Sequence, residues 1–117
     1  MLDARADQQL VFHQHYSRLL RGRVQALLTE ELIEAHRRAP HGPHGDAMMR
    51  VLVYFGAVSP YALYAPKPLA RYHIVRLPGS PGATPQRIDA HEFEDLGAAR
   101  HAVFLLNVAD LRRQEAA

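Results

Sequence analysis

Hydrophobic side chains recur at helical spacing in a long stretch near the start of the chain. Between residues 8 and 38 there is no proline, and the apolar residues form one stripe, which favours a single long helix. Thr29 is also a suitable cap for a separate helix, so a break near residue 28 remains an alternative. The stripe consists of Phe12, Tyr16, Leu19, Leu20, Val24, Leu27, Leu28 and Leu32. Residues 1–7 are polar, and we expect them to be disordered.

A short second helix is predicted after a turn. Residues 39–45 contain two prolines and two glycines, which cannot continue a helix. Asp46 is a suitable N-cap for the next helix, and Gly56 suits a left-handed residue at its end. We expect this second helix to pack antiparallel to the first.

Strand-forming residues dominate the middle of the chain. Tyrosines and β-branched residues are frequent at 61–65 and 71–77, and prolines bound both runs. Proline and glycine make residues 78–82 a loop, and residues 86–89 offer a third short strand. The order of elements predicts an α+β protein with a small antiparallel sheet of two or three strands. The length suits one domain over residues 1–117.

The last predicted helix, residues 96–113, is apolar on more than one side. Asp95 is a suitable cap for it. One side carries His101, Phe104, Leu105, Val108 and Leu111, and another carries Ala99, Val103 and Leu106. Such a helix needs cover on more than one side, and in so short a chain we expect another polypeptide to supply part of that cover.

The tyrosines indicate where a partner could bind. Tyr61 and Tyr64 are flanked by prolines, and tyrosine combines apolar area with a polar tip, which is common at interfaces. Together with the last helix they give a predicted partner interface. Its members are Tyr61, Tyr64, His101, Phe104, Leu105 and Val108.

Composition and charge narrow the functional classes. The chain has 14 basic and 12 acidic residues, a formal net charge of +2 and no basic cluster, so we expect no nucleic-acid partner. It has no cysteine, which excludes disulfides and thiolate zinc sites. No apolar run approaches the roughly 20 residues of a membrane span. We expect a cytoplasmic protein without a membrane partner.

Catalytic motifs are not convincing in this sequence. The serines lie outside any nucleophile-elbow motif. His91 and Glu92 begin like a zinc-protease motif, but residue 95 is an aspartate where the second histidine should be. We therefore assign no catalytic, cofactor-binding or metal-binding residue. A small metal-dependent enzyme using His36, His41 and His44 remains an alternative, because the loop carrying the last two could fold back on the helix end.

Several motifs resemble the small subunit of bacterial N,N-dimethylformamidase and its relatives. They are His44 before Arg50-Val51-Leu52-Val53-Tyr54-Phe55, the run Tyr61–Tyr64, Tyr72-His73-Ile74, His101-Ala102-Val103-Phe104-Leu105 and Val108-Ala109-Asp110-Leu111-Arg112. The resemblance implies an accessory chain that binds a much larger catalytic subunit. That subunit would hold a mononuclear iron and hydrolyse the formamide to dimethylamine and formate, so no catalytic residue transfers to this chain.

A second functional class remains open. The chain could instead be a stand-alone binding module in which Tyr61, Tyr64 and nearby arginines hold a ligand or a nucleic acid. Binding to polyanions that weakens steeply with salt would favour this alternative.

Overall fold

Four helices and three strands make up the described part of the computed structural model, which covers residues 4–65, 71–79, 82–89 and 91–116. In chain order they are α1 (Ala4–Leu27), α2 (Glu30–Arg38), α3 (Asp46–Val58), β1 (Tyr61–Tyr64), β2 (His73–Arg76), β3 (Gln86–Arg87) and α4 (Leu96–Ala116). The α+β prediction is confirmed. Of the predicted disordered segment, residues 1–3 lie outside the described residues, and α1 begins at Ala4.

The predicted single helix over residues 8–38 is wrong, and the alternative break is confirmed. Helix α1 ends at Leu27, and α2 begins at Glu30. Thr29 has an extended backbone, and its hydroxyl accepts a hydrogen bond from the backbone N–H of Leu32 at 3.1 Å. Glu30 and Glu31 add negative charge to the first turn of α2. The cap therefore outweighs the continuous apolar stripe, and the break lets α2 pack on α4.

Both predicted ends of the second helix need correction. Asp46 is the first helical residue of α3, and Gly45 is its N-cap. The helix also continues through Gly56 to Val58, and its C-cap is Ser59. Proline disfavours the helical conformation in the residue before it, so Pro60 fixes the end of α3 at Ser59.

Helix α4 lies between the other helices and the sheet. On one side Phe104 and Val108 pack in the core cluster with Val51 and Phe55. On the other side α4 contacts β1 and β2, and Ala99 is fully buried. Asp95 caps the helix as predicted, because its carboxylate accepts a hydrogen bond from the N–H of Ala98 at 3.0 Å. This chain thus covers α4 on two sides by itself.

The three strands form one antiparallel sheet in the order β1-β2-β3. The predicted strands are confirmed with shorter bounds. In the register, Leu63 of β1 lies opposite Ile74 of β2. None of the helices in the described ranges has the length and apolar character to cross a membrane.

Candidate functional site

The six residues of the predicted interface do not share one surface. Phe104 and Val108 are each only 3 % exposed and belong to the chain's own core. Tyr61 and His101 are partly buried and bind other side chains of this chain. Only Tyr64 and Leu105 are exposed, and their contact with a partner stays a prediction.

A second group of exposed apolar residues lies on α1. Phe12 is 70 % exposed, Tyr16 50 % and Leu19 47 %, and we call these three residues the α1 face. At about 100° per residue they fall within roughly 60° of the helix circumference. The rings of Phe12 and Tyr16 stack with centroids 6.5 Å apart. Val24, which anchors α1 in the core, lies about 120° around the helix from Phe12, so the α1 face cannot reach that core.

The charged residues in this part of α1 are all arginines. No aspartate or glutamate occurs between residues 8 and 29, whereas Arg18, Arg21 and Arg23 do. Of these arginines only Arg23 lies near the direction of the face, about 20° around the helix from Phe12. Arg18 and Arg21 lie about 120° and 180° away. A surface that covers the α1 face should therefore be mainly apolar.

A histidine pair joins α2 to α4. His36 is 3 % exposed, and its Nδ1 lies 2.9 Å from Nδ1 of His101, so one ring donates a hydrogen bond and the other accepts it. The ring of His36 also stacks on Phe104 with centroids 4.0 Å apart. Burial, and then the neighbouring His101 and His44, lower the pKa of His36 from 6.5 to about 4. Burial likewise lowers the pKa of His101. The pair is thus neutral at pH 7 and holds two helices together.

The three histidines of the metal alternative are used differently. The rings of His36 and His44 stack with centroids 6.1 Å apart, whereas Nη1 of Arg100 lies 2.7 Å from Nδ1 of His41. Within the described ranges, no group of three or more His, Cys, Asp or Glu side chains is placed to hold a metal ion. The sequence had suggested that His36 and His44 approach each other, but not that His101 completes the group.

An open pocket of about 500 Å³ lies between α3, β1 and α4. Helix α2 and the loop after it also line the pocket, through His36, Pro40, His41 and His44. Its apolar wall includes Phe55, Val103 and Phe104, and Asn107 also lines it. Asn107 is only 7 % exposed, and its carboxamide has no hydrogen-bond partner among the described residues. Sequence reasoning missed Asn107, although an asparagine within the apolar run of α4 was the available signal. The pocket can bind a ligand in which an apolar group lies next to a hydrogen-bonding group.

A single hydrogen bond fixes β1 against α4 beside this pocket. The hydroxyl of Tyr61 donates to Oδ2 of Asp110 at 2.6 Å. Tyr61 is therefore engaged within the chain, which leaves Tyr64 as the exposed tyrosine of the predicted pair.

Comparison with known proteins identifies the family. No curated protein sequence matches the chain. The family model described as N,N-dimethylformamidase alpha subunit matches residues 11–117, which is nearly the whole sequence. This agrees with the resemblance in the sequence motifs. The chain belongs to the N,N-dimethylformamidase alpha subunit family.

Proposed function

We propose that this chain is a non-catalytic small subunit that binds and stabilises the large, iron-dependent catalytic subunit of an N,N-dimethylformamidase-like amidohydrolase. The complex would hydrolyse a formamide to an amine and formate in the cytoplasm. Family membership supports a role as a subunit of this enzyme. The large partner, its iron and the stabilising role follow from the resemblance and are the substance of the proposal.

The α1 face is the observation that carries this proposal. Phe12, Tyr16 and Leu19 are spaced i, i+4 and i+7, which is the spacing of helices that bind in an apolar groove of another protein. Full burial of a phenylalanine or leucine side chain gains about 1.5–3 kcal/mol relative to exposure. A partner that covers the face would therefore gain a substantial part of its binding free energy there.

The reaction itself is assigned to the large subunit. In this proposal the iron and the groups that activate water belong to that chain, and this chain contributes binding surface. Its buried polar contacts, such as the His36–His101 pair, fix the arrangement of α2 and α4 and so the shape that the partner meets.

Co-expression with the large subunit tests the proposal. We expect both chains to purify as one complex that contains iron and hydrolyses N,N-dimethylformamide, and the large subunit alone to be less soluble or less active. The double variant Phe12→Ser/Leu19→Ser should reduce complex formation. Val11→Ser is the matched control, because Val11 is also exposed on α1 but lies about 100° around the helix from Phe12.

Two results would contradict the proposal. One is a large subunit that is equally stable and active without this chain. The other is a chain that stays alone in the presence of the large subunit but binds polyanions in a salt-sensitive way, which would favour the binding-module alternative.

A further inference from the structure

One edge of the sheet presents unpaired backbone groups. Along two antiparallel strands, the residues that face each other alternate. One facing pair exchanges backbone hydrogen bonds, and in the next pair the backbone N–H and C=O groups point away from the other strand. The carbonyl of Ile74 accepts a hydrogen bond from the N–H of Ile88, so the backbone groups of Ile74 point towards β3. Leu63 lies opposite Ile74, and its backbone N–H and C=O therefore point away from β2. The bond from the N–H of Leu77 to the carbonyl of Pro60 gives the same alternation. The outer edge of β1 thus exposes the backbone of Leu63.

The strand edge is unoccupied within the described ranges. No described strand pairs with β1 on that side. The N–H of Tyr61 bonds to the hydroxyl of Ser59 at 3.2 Å, but the N–H and C=O of Leu63 have no partner among the described residues. Such an edge is a template for another extended backbone.

The pocket that contains Asn107 lies directly beside this edge. Tyr61, Ala62 and Leu63 line it together with Asn107. The Asn107 carboxamide offers both donors and an acceptor, and a peptide group matches that pattern. The carboxamide has no partner among the described residues, so a ligand that displaces water from it in the pocket must supply hydrogen bonds in return. Two separate features of one pocket, a strand edge and an unpartnered amide, therefore call for the same ligand chemistry.

We propose that an extended segment of the partner polypeptide binds along β1 as an added strand. Its backbone bonds to the N–H and C=O of Leu63, an apolar side chain fills the pocket, and a peptide group bonds to the Asn107 carboxamide. The identity of the partner rests on the proposed function, whereas the site is separate from the α1 face. An extended peptide fits better than a small molecule, because its backbone groups and its side chains alternate along the strand. It can therefore bond to the strand edge and place a side chain in the pocket at the same time.

The first test separates the Leu63 N–H from its side chain. Leu63→Pro removes the N–H that points outward, and an edge strand tolerates proline at such a position. Leu63→Ala keeps the N–H and also shortens the side chain, so it is the matched control. We expect Leu63→Pro to bind the large subunit about tenfold more weakly than Leu63→Ala, as the loss of one hydrogen bond with its partner left unsatisfied implies.

The second test uses Asn107→Leu, a change of similar size. Among the described residues the carboxamide has no partner, so the melting temperature of the free chain should stay the same or rise. The affinity for the large subunit should nevertheless fall about tenfold. A purely structural role for Asn107 would lower the melting temperature and the affinity together, which would overturn the proposal.

Hydrogen exchange in the wild-type complex gives a readout that needs no variant. The amide of Leu63 should exchange at least about tenfold more slowly in the complex with the large subunit than in the free chain. Two results would overturn this inference and leave the proposed function intact. One is a Leu63 amide that exchanges at the same rate in both states. The other is that Leu63→Pro binds like Leu63→Ala and Asn107→Leu binds like the wild-type chain, while Phe12→Ser/Leu19→Ser binds weakly. No complex with the wild-type chain would overturn both.

Discussion

Helices α1 and α4 differ in how far this chain covers their apolar residues. Helix α4 carries apolar residues on more than one side, which had indicated a need for outside cover, yet Phe104 packs against other helices and Ala99 is fully buried within this chain. Helix α1 carries an ordinary single stripe, yet Phe12 and Tyr16 remain exposed. An apolar pattern thus shows that a surface needs cover, and only the arrangement of elements shows whether the same chain provides it.

The position of each helix in the fold explains the contrast. Helix α4 runs through the middle of the molecule, with α2 on one side and β1 on another. Helix α1 has 24 residues, but its described core residue, Val24, lies in its last turns. In earlier turns of α1, by contrast, Phe12 and Tyr16 remain 70 % and 50 % exposed.

The largest expected effect concerns α4. Phe104→Ala should lower the free energy of unfolding by about 3–5 kcal/mol, because the ring is buried against His36 and Phe55. Chemical denaturation followed by circular dichroism measures this. Phe104→Leu keeps most of the volume and should lose less. A Phe104→Ala loss below about 1 kcal/mol would contradict the central position of α4.

Acidic pH should lower the free energy of unfolding by a smaller amount, through the contact between α2 and α4. The pKa of His36 is lowered from 6.5 to about 4 in the folded chain. Between pH 4 and pH 6.5 the unfolded chain therefore binds more protons than the folded chain. Stability should therefore be complete above about pH 6.5 and fall as the pH drops towards 4, by roughly 3 kcal/mol. Thermal melts over this range measure it.

Two variants control for the source of this pH dependence. His36→Phe removes the titrating group and keeps a ring against Phe104, so it should remove most of the slope. His13→Gln changes a histidine that is exposed on α1, away from the contact between α2 and α4, and is the matched control. A slope that is unchanged in His36→Phe would mean that another group causes the loss.

The N-cap at the break between α1 and α2 should contribute about 1 kcal/mol to the free energy of unfolding. Thr29→Ala removes the hydroxyl that accepts the N–H of Leu32, and losses of N-caps are typically of this size. Thr29→Ser keeps the hydroxyl and should retain most of the stability. If Thr29→Ala and Thr29→Ser were equally stable, the cap would not be what begins α2.

The smallest effect on stability is expected on the α1 face. Phe12→Ser should change the free energy of unfolding by less than about 0.5 kcal/mol, because the ring is 70 % exposed. The same change should weaken binding to the large subunit by about tenfold or more. Denaturation of the free chain and titration with the large subunit separate these two effects. A loss of stability as large as that of Phe104→Ala would remove the contrast between the helices.

Where local chemistry controls the fold, much of it could be predicted from the sequence, although the break at Thr29 was predicted only as an alternative and the ends of α3 were not predicted. The strands, the cap at Asp95 and the α+β order depend on nearby residues and were confirmed. The site depended on distant contacts. His36 and His101 are 65 residues apart, and no spacing rule brings their rings together. The exposure of Phe12 was equally hidden, because its stripe looks the same whether or not α1 extends past the core. Asn107 was missed, because its open pocket is formed by elements that are distant in the sequence.

Hydrogen exchange along α1 tests the central claim most directly. The backbone amides of residues 11–20 should exchange at least about tenfold more slowly in the complex with the large subunit than in the free chain, because the partner covers the α1 face. If the complex forms and these amides exchange at the same rate in both states, the partner binds elsewhere and the account of α1 is wrong.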